Sequence, residues 1–290
     1  MPAKSPSNAE AVIERSTAEM TTTAYALFLA MGLLWGLPYL FIKIAIVEVN
    51  PFALAGLRTL IASCVLIPLA IRSGALRPAL KRWPWAVAFG VMEVAIPWVL
   101  VGHAESRITS GFAGLMIATV PIVGAVVAYI VGDHHALSRI RLFGLGIGVL
   151  GVCALVGLDS LSGHVDALSV VELFLVAVCY ATAPMIVSQK MGDLPSIGVI
   201  AVAIASVAIL YLPSTFSQVQ HGWPSLKVSV SIVVLALVCT ALAFILFFRL
   251  LELVGPARST VITFLNPAVA VALGILVLGE PLTLGTAIGF

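Results

Sequence analysis

Charge is what this 290-residue chain has least of: Asp, Glu, Lys and Arg supply 10% of it, against 61% hydrophobic residues. A water-soluble domain draws about a quarter of its residues from those four types to cover its surface. An aqueous globule is therefore excluded, and lipid must solvate most of the exterior. The formal net charge is only +2, and no basic cluster interleaved with aromatics is present, so nucleic acid is not an expected partner. The four cysteines, Cys64, Cys153, Cys179 and Cys239, sit in apolar runs and form no C-x-x-C pair. They read as small packing residues, not as ligands or disulfides. Walker A, H-E-x-x-H and G-x-S-x-G patterns are missing, so no catalytic residue, cofactor or metal is expected. His134 and His135 are adjacent, which sends their side chains in different directions and argues against a zinc pair. The polar start, with Lys4, Glu10, Glu14, Arg15 and Glu19, lacks the short apolar core of a signal peptide. It reads as a disordered cytoplasmic tail over residues 1–22.

What the chain has in plenty is long apolar runs. A membrane helix needs about twenty apolar residues to cross roughly 30 Å of hydrocarbon. Runs of that kind lie near 23–46, 51–71, 84–102, 109–131, 141–158, 169–189, 195–213, 228–248 and 259–279. A tenth starts at Leu282 and stops at Phe290; it reaches only about 13 Å, so the tenth span is truncated as given and the natural chain is expected to continue. The fold class is thus all-α integral membrane, a multi-pass protein of a bacterial inner membrane. Eleven of the fifteen Lys and Arg residues (Lys4, Arg15, Arg72, Arg77, Lys81, Arg82, Arg139, Arg141, Lys190, Arg249 and Arg258) fall on one side if the N-terminus is cytoplasmic. The positive-inside rule then places both termini in the cytoplasm.

The chain also repeats itself. Pro121 and Pro267 are 146 residues apart, Trp35-Gly36 and Tyr180-Ala181 are 145 apart, and Leu137-Ser138 and Leu282-Thr283 are again 145 apart. Gly132-Asp133 and Gly279-Glu280 match at 147. Five spans per unit is odd, so the second unit (159–290) would enter the membrane inverted relative to the first (23–158). That 5+5 inverted repeat is frequent in secondary transporters, with the site at the midplane between halves.

Several strings carry a family likeness. Met31-Gly32-Leu33-Leu34-Trp35-Gly36 with Tyr39, Pro51-Phe52-Ala53-Leu54-Ala55-Gly56-Leu57-Arg58, and Phe264-Leu265-Asn266-Pro267 leading to Leu278-Gly279-Glu280-Pro281-Leu282-Thr283 resemble the EamA type of the drug/metabolite transporter superfamily. The resemblance covers nearly the whole chain from Thr23 onward. It implies ten helices, the 5+5 inverted repeat, and transport of small metabolites, commonly export of amino acids. Gly132-Asp133-His134-His135 departs from the Gly-Glu-x-Leu-type turn usual there.

An ionisable group deep in a span is costly unless it faces a partner or cavity, so each is a site candidate. Glu93, midway through the third span, is a candidate for proton coupling or for pairing with a substrate ammonium. Arg58 lies about 10 Å into the second span; it could meet a substrate carboxylate, or tie its helix to neighbouring carbonyls or to Glu48. Trp35, Tyr39 and Lys43 share one helical stripe at i, i+4, i+8, suited to a zwitterion through cation–π contact, though such stripes also arise from packing. Tyr180 follows as the repeat partner of Trp35, and Asn266 precedes the proline of the ninth span. Trp98 is a cavity wall or an interface anchor. Pro38, Pro121 and Pro267 each free a backbone carbonyl and are candidate hinges. His103, Glu105 and Arg107 read as a solvated loop. Gly146-Ile147-Gly148-Val149-Leu150-Gly151 mimics a dinucleotide motif, but no strand precedes it. With Gly144, Gly32-x-x-x-Gly36 and Gly285-x-x-x-Gly289 it reads as close helix packing.

The expected function is a secondary transporter of small polar metabolites, amino acids and aromatic ones among them, working by alternating access. Its partners would be the substrate and the bilayer, with proton coupling open and the protein a monomer or homodimer. The competing reading is an integral-membrane enzyme or a non-transporting scaffold.

Overall fold

The computed structural model describes residues 21–130, 139–161, 165–259 and 262–290. Residues 1–20 of the tail and the Gly132–His135 turn lie outside the described residues. Every regular element among the described residues is helical: α1 Thr22–Ala45, α2 Pro51–Arg72, α3 Leu76–Lys81, and α4 Trp83–Gly90, which continues through a π-helical turn, Val91–Ala95, into α5 Ile96–Glu105. Then follow α6 Ser110–Ile117, α7 Val120–Ile130, α8 Arg139–Leu161, α9 Ala167–Lys190, α10 Ser196–Leu210 and α11 Leu212–His221. The chain ends with α12 Leu226–Ala236, a second π turn Leu237–Leu242, α13 Ala243–Ser259, α14 Ile262–Leu278 and α15 Leu284–Gly289.

Helix starts follow local chemistry. Asn50 accepts from the Ala53 N–H at 2.9 Å just ahead of Pro51, a residue pre-set for the first helical position. Thr109, Asp166, Ser225 and Thr283 cap α6, α9, α12 and α15 in the same way. Among the described residues six continuous helical stretches are long and apolar enough to cross a membrane, and α10 with α11, bent by 54° at their junction, makes a seventh if the pair counts as one span. The bend falls where Pro213 opens α11, and two shorter apolar helices cover Phe143–Asp159 and Ile262–Leu278. Large side chains such as Leu29, Phe143, Leu150, Ile209 and Leu276 are exposed. They form an apolar exterior of a kind that water does not tolerate but lipid does.

The first and last parts of the chain interlock. α1 packs on α14 and on α12–α13; α9 packs on α6–α7 and on α4–α5; α2 packs on α10, and α8 on α15. Small residues permit the closest of these approaches. A side chain at Gly32 would strike Leu265, and one at Gly36 would strike Val269, so the Gly32-x-x-x-Gly36 face seats α14 as its spacing implies. Gly151 and Gly289 meet in the same manner between α8 and α15. The glycine-rich run of α8 serves only in part: nothing lies near Gly144 or Gly146, whose face looks away from the packed interior.

The matched prolines behave differently. Pro121 follows a break at Ala118-Thr119, whereas Pro267 and Pro38 lie inside unbroken α14 and α1.

Candidate functional site

Glu93 sits in the first π turn, and Pro97 accounts for that turn. Proline has no N–H and its ring collides with the carbonyl four residues back, here that of Glu93. The chain widens by one residue, and the Ile96 N–H reaches the Val91 carbonyl instead. Such π bulges concentrate at functional positions because they release backbone groups. The half-buried Glu93 keeps one carboxylate oxygen sealed from solvent without a hydrogen-bond partner among the described residues. Cys239, 146 residues later, lies in the second π turn, at the spacing that separates Pro121 from Pro267.

Each π turn is held by a donor from the other part of the chain. Tyr211, at the bend between α10 and α11, donates its hydroxyl to the Ala95 carbonyl at 3.1 Å. Arg58, 5% exposed on α2, donates Nε to Thr240 Oγ1 at 2.8 Å and Nη2 to the Cys239 carbonyl at 3.4 Å. Of the roles open to Arg58, tying its helix to a neighbouring carbonyl is therefore present, whereas pairing with Glu48 is not: that carboxylate accepts from the Ser225 N–H and hydroxyl instead. The guanidinium carbon stands 3.5 Å from the Trp98 ring centroid, a cation–π contact that fixes both groups.

Tyr180 of α9 is within hydrogen-bonding reach of Trp98 and in electrostatic range of Glu93 and Arg58; Tyr39 of α1 is in range of Tyr180 and Arg58. Glu93, Trp98, Arg58, Tyr39 and Tyr180 thus converge from α1, α2, the α4–α5 span and α9. Two other candidates stand apart from that group. Trp35 packs against Phe247 at 4.7 Å and Phe244 at 6.1 Å between ring centroids. Asn266, with its amide nitrogen set toward two carbonyls, donates to Gly32 at 3.2 Å and Ile262 at 3.1 Å, clasping α14 to α1.

Several polar residues carry roles that sequence reading did not assign. Arg107 donates to Asp166 at 2.8 Å and pairs with Glu172, which His103 also contacts. These residues form a bridge to α9 and not a solvated loop. Glu105 is fully buried, and Lys43 donates to the Glu105 and Ile108 carbonyls, leaving the substrate stripe for a structural post. Gly279 takes a left-handed φ of 68° and the Glu280 N–H returns to the Gly274 carbonyl, closing α14 in a turn that glycine's freedom permits. That turn delivers the Glu280 carboxylate to Ser110 N and Oγ at 2.9 and 2.8 Å, onto the positive end of α6. Asp159, 3% exposed, accepts from Thr283 at 2.9 Å.

The sequence profile of the EamA-like transporter family matches residues 22–157 and again 168–290. The chain belongs to that family. It is a multi-pass membrane transporter, and relatives carry the same description. The "Uncharacterized inner membrane transporter YedA" of Escherichia coli (strain K12) is 28% identical over 89% of this chain and 83% of its own. A "Probable amino-acid metabolite efflux pump" of Salmonella typhimurium is 27% identical over 89% and 87%. A "Probable terminal-alkyne amino-acid exporter" of Streptantibioticus cattleyicolor is 26% identical over 84% of each. A solved crystal structure, 19% identical, superposes with a TM-score of 0.65 over 92% of both chains, a likeness of fold.

Proposed function

We propose that this protein is a secondary carrier exporting small zwitterionic metabolites, amino acids first among them, across a bacterial inner membrane. The observation that carries the reading is a fixed cation and an acid with a partnerless oxygen, both of which neighbour Tyr180. Arg58, held over Trp98 by Thr240 and Cys239, suits a substrate carboxylate. Glu93, with one oxygen that has no hydrogen-bond partner among the described residues, suits an ammonium or a proton. Trp98 and Tyr180 offer ring surfaces for an aromatic side chain. Trp35 and Asn266 would act at one remove, by setting how α1 meets α13 and α14.

The two family matches, the matched π turns and the reciprocal packing of α1 on α14 and α9 on α6–α7 support two inverted five-span halves that rock about this group. Pro38, Pro121 and Pro267 would serve as the flexing points. Both termini are cytoplasmic in this reading, which sets the Lys43 end outward. The test is flux of amino acids in proteoliposomes, driven by a pH gradient. Glu93→Gln should abolish the response to the gradient and leave substrate exchange in place. Wild-type liposomes that pass no amino acid under any gradient would return the protein to the scaffold or enzyme reading.

A further inference from the structure

Glu105 ends the same span that holds Glu93, twelve residues on, or about 18 Å along the helix. It is fully buried, and neither carboxylate oxygen has a hydrogen-bond partner among the described residues. A buried carboxylate without donors costs several kcal/mol unless it is neutralised. Lys43 is in electrostatic range, but its ammonium is committed to the Glu105 and Ile108 backbone carbonyls. The other charged group in range is a second acid, Glu280, itself committed to Ser110 and Gly111. His103 and Arg107, two residues either side, face Glu172 on α9 and Asp166 at its N-cap. Among the described residues no cation forms an ion pair or hydrogen bond with the Glu105 carboxylate, and a bound proton is the means left to neutralise it in full.

We infer that Glu105 is a second proton-binding site, by which the carrier exchanges protons with the solution at its Lys43 end. With that end closed, the Glu105 carboxyl holds its proton out of water. When the end opens, the O–H bond breaks and the proton passes to solvent. The carboxylate recovers a proton from solvent. No co-reactant other than water enters. The site rests on the proton-coupled carrier reading, and the experiment separates the two.

Wild type, Glu93→Gln, Glu105→Gln and Glu105→Asp are reconstituted and assayed for gradient-driven flux and for substrate exchange at equal pH. Glu105→Gln should lower the gradient-driven flux about tenfold or more, as loss of a positioned proton-transfer group does, with exchange and its KM unchanged. Glu105→Asp, which keeps the carboxyl, should recover part of it. Infrared titration of purified wild type should show a protonated carboxyl band at neutral pH that Glu105→Gln removes in part and Glu93→Gln does not remove fully. Wild-type flux that responds to the gradient, with Glu105→Gln matching it, would overturn the site while leaving the carrier intact. Wild-type flux indifferent to the gradient would overturn proton coupling and the site together. If neither Glu105 variant inserts, the wild-type infrared titration decides: a single carboxyl band that vanishes in Glu93→Gln refutes the second site.

Discussion

The two ends of the molecule are fastened in different ways. At the Lys43 end, polar side chains from the first part of the chain reach across to the second: Arg107 and His103 to Glu172, Arg107 to Asp166, Ser110 to Glu280, and Glu48 to Ser225, with Asp159 and Thr283 joined beside them. Several of these groups are buried, Glu172 and Asp159 among them. At the opposite end the ion pair among the described residues joins Arg82 to Asp193, with side chains 40% and 64% exposed. Buried pairs are expensive to form and expensive to break singly, whereas exposed pairs are nearly free in both directions. In the alternating-access mechanism proposed above, this contrast would correspond to closure at the Lys43 end, with a latch that substrate or proton binding would release.

The sharpest break of that contrast is Arg107→Ala. It leaves Glu172 buried, with a half-exposed imidazole as its remaining contact among the described ion pairs. Removing one partner of a fully buried pair costs about 3–5 kcal/mol; Arg107 keeps about a quarter of its side chain in solvent, so roughly 2–3 kcal/mol is expected. The readout is the thermal midpoint of purified protein in detergent. Arg107→Ala should lower it clearly, while Arg82→Ala should barely move it. Equal shifts would erase the distinction between the ends.

Much of this was legible in the sequence because apolar length is a local property. The spans from α1 to α9 fall within a few residues of the runs that apolar composition marks. Arg58 and Glu93 stand out because a charge inside such a run is rare. The bridge was illegible for the opposite reason. His103, Glu105 and Arg107 lie at the edge of a run, and hydropathy cannot tell a polar group facing water from one facing another helix. Glu172, the partner of His103 and Arg107, is 65 residues or more away, and Glu280 is 170 residues from Ser110. The first π turn has a sequence cause, Pro97. The second has none in its own segment and is held by Arg58 from α2, so only the packed structure reveals it.

Acid offers a milder way to sharpen the comparison. Arg107, first, and then the Ser169 N–H and hydroxyl hold the Asp166 carboxyl below its ordinary range; at the other end Arg82 does the same for Asp193. The Ser225 hydroxyl and N–H lower Glu48 likewise. A carboxyl whose pKa is depressed by folding contributes stability that is complete above its unfolded value, near 4, and fades as pH falls through the lowered folded value. The thermal midpoint should therefore be flat from neutral pH to about 5 and fall below about 4. Asp166→Asn keeps a side chain that caps α9 about as well but cannot titrate. It should start lower at neutral pH and lose less on acidification than wild type. An Asp166→Asn profile parallel to wild type would place the acid-sensitive contacts elsewhere.

The smallest effect tests the exposed end directly. Arg82 forks onto both oxygens of Asp193 and also donates to the Lys190 carbonyl at 2.8 Å, all within reach of solvent. An exposed pair contributes about 0–1 kcal/mol and is screened by salt, since the Debye length shrinks to roughly 3 Å at 1 M. The small gap in midpoint between wild type and Arg82→Ala should therefore close in high salt. The gap produced by Arg107→Ala should persist there, because protein and not electrolyte surrounds Glu172. If the Arg82 gap survives high salt undiminished, the exposed pair is as firmly seated as the buried one, and the molecule has two latches where the geometry supports one.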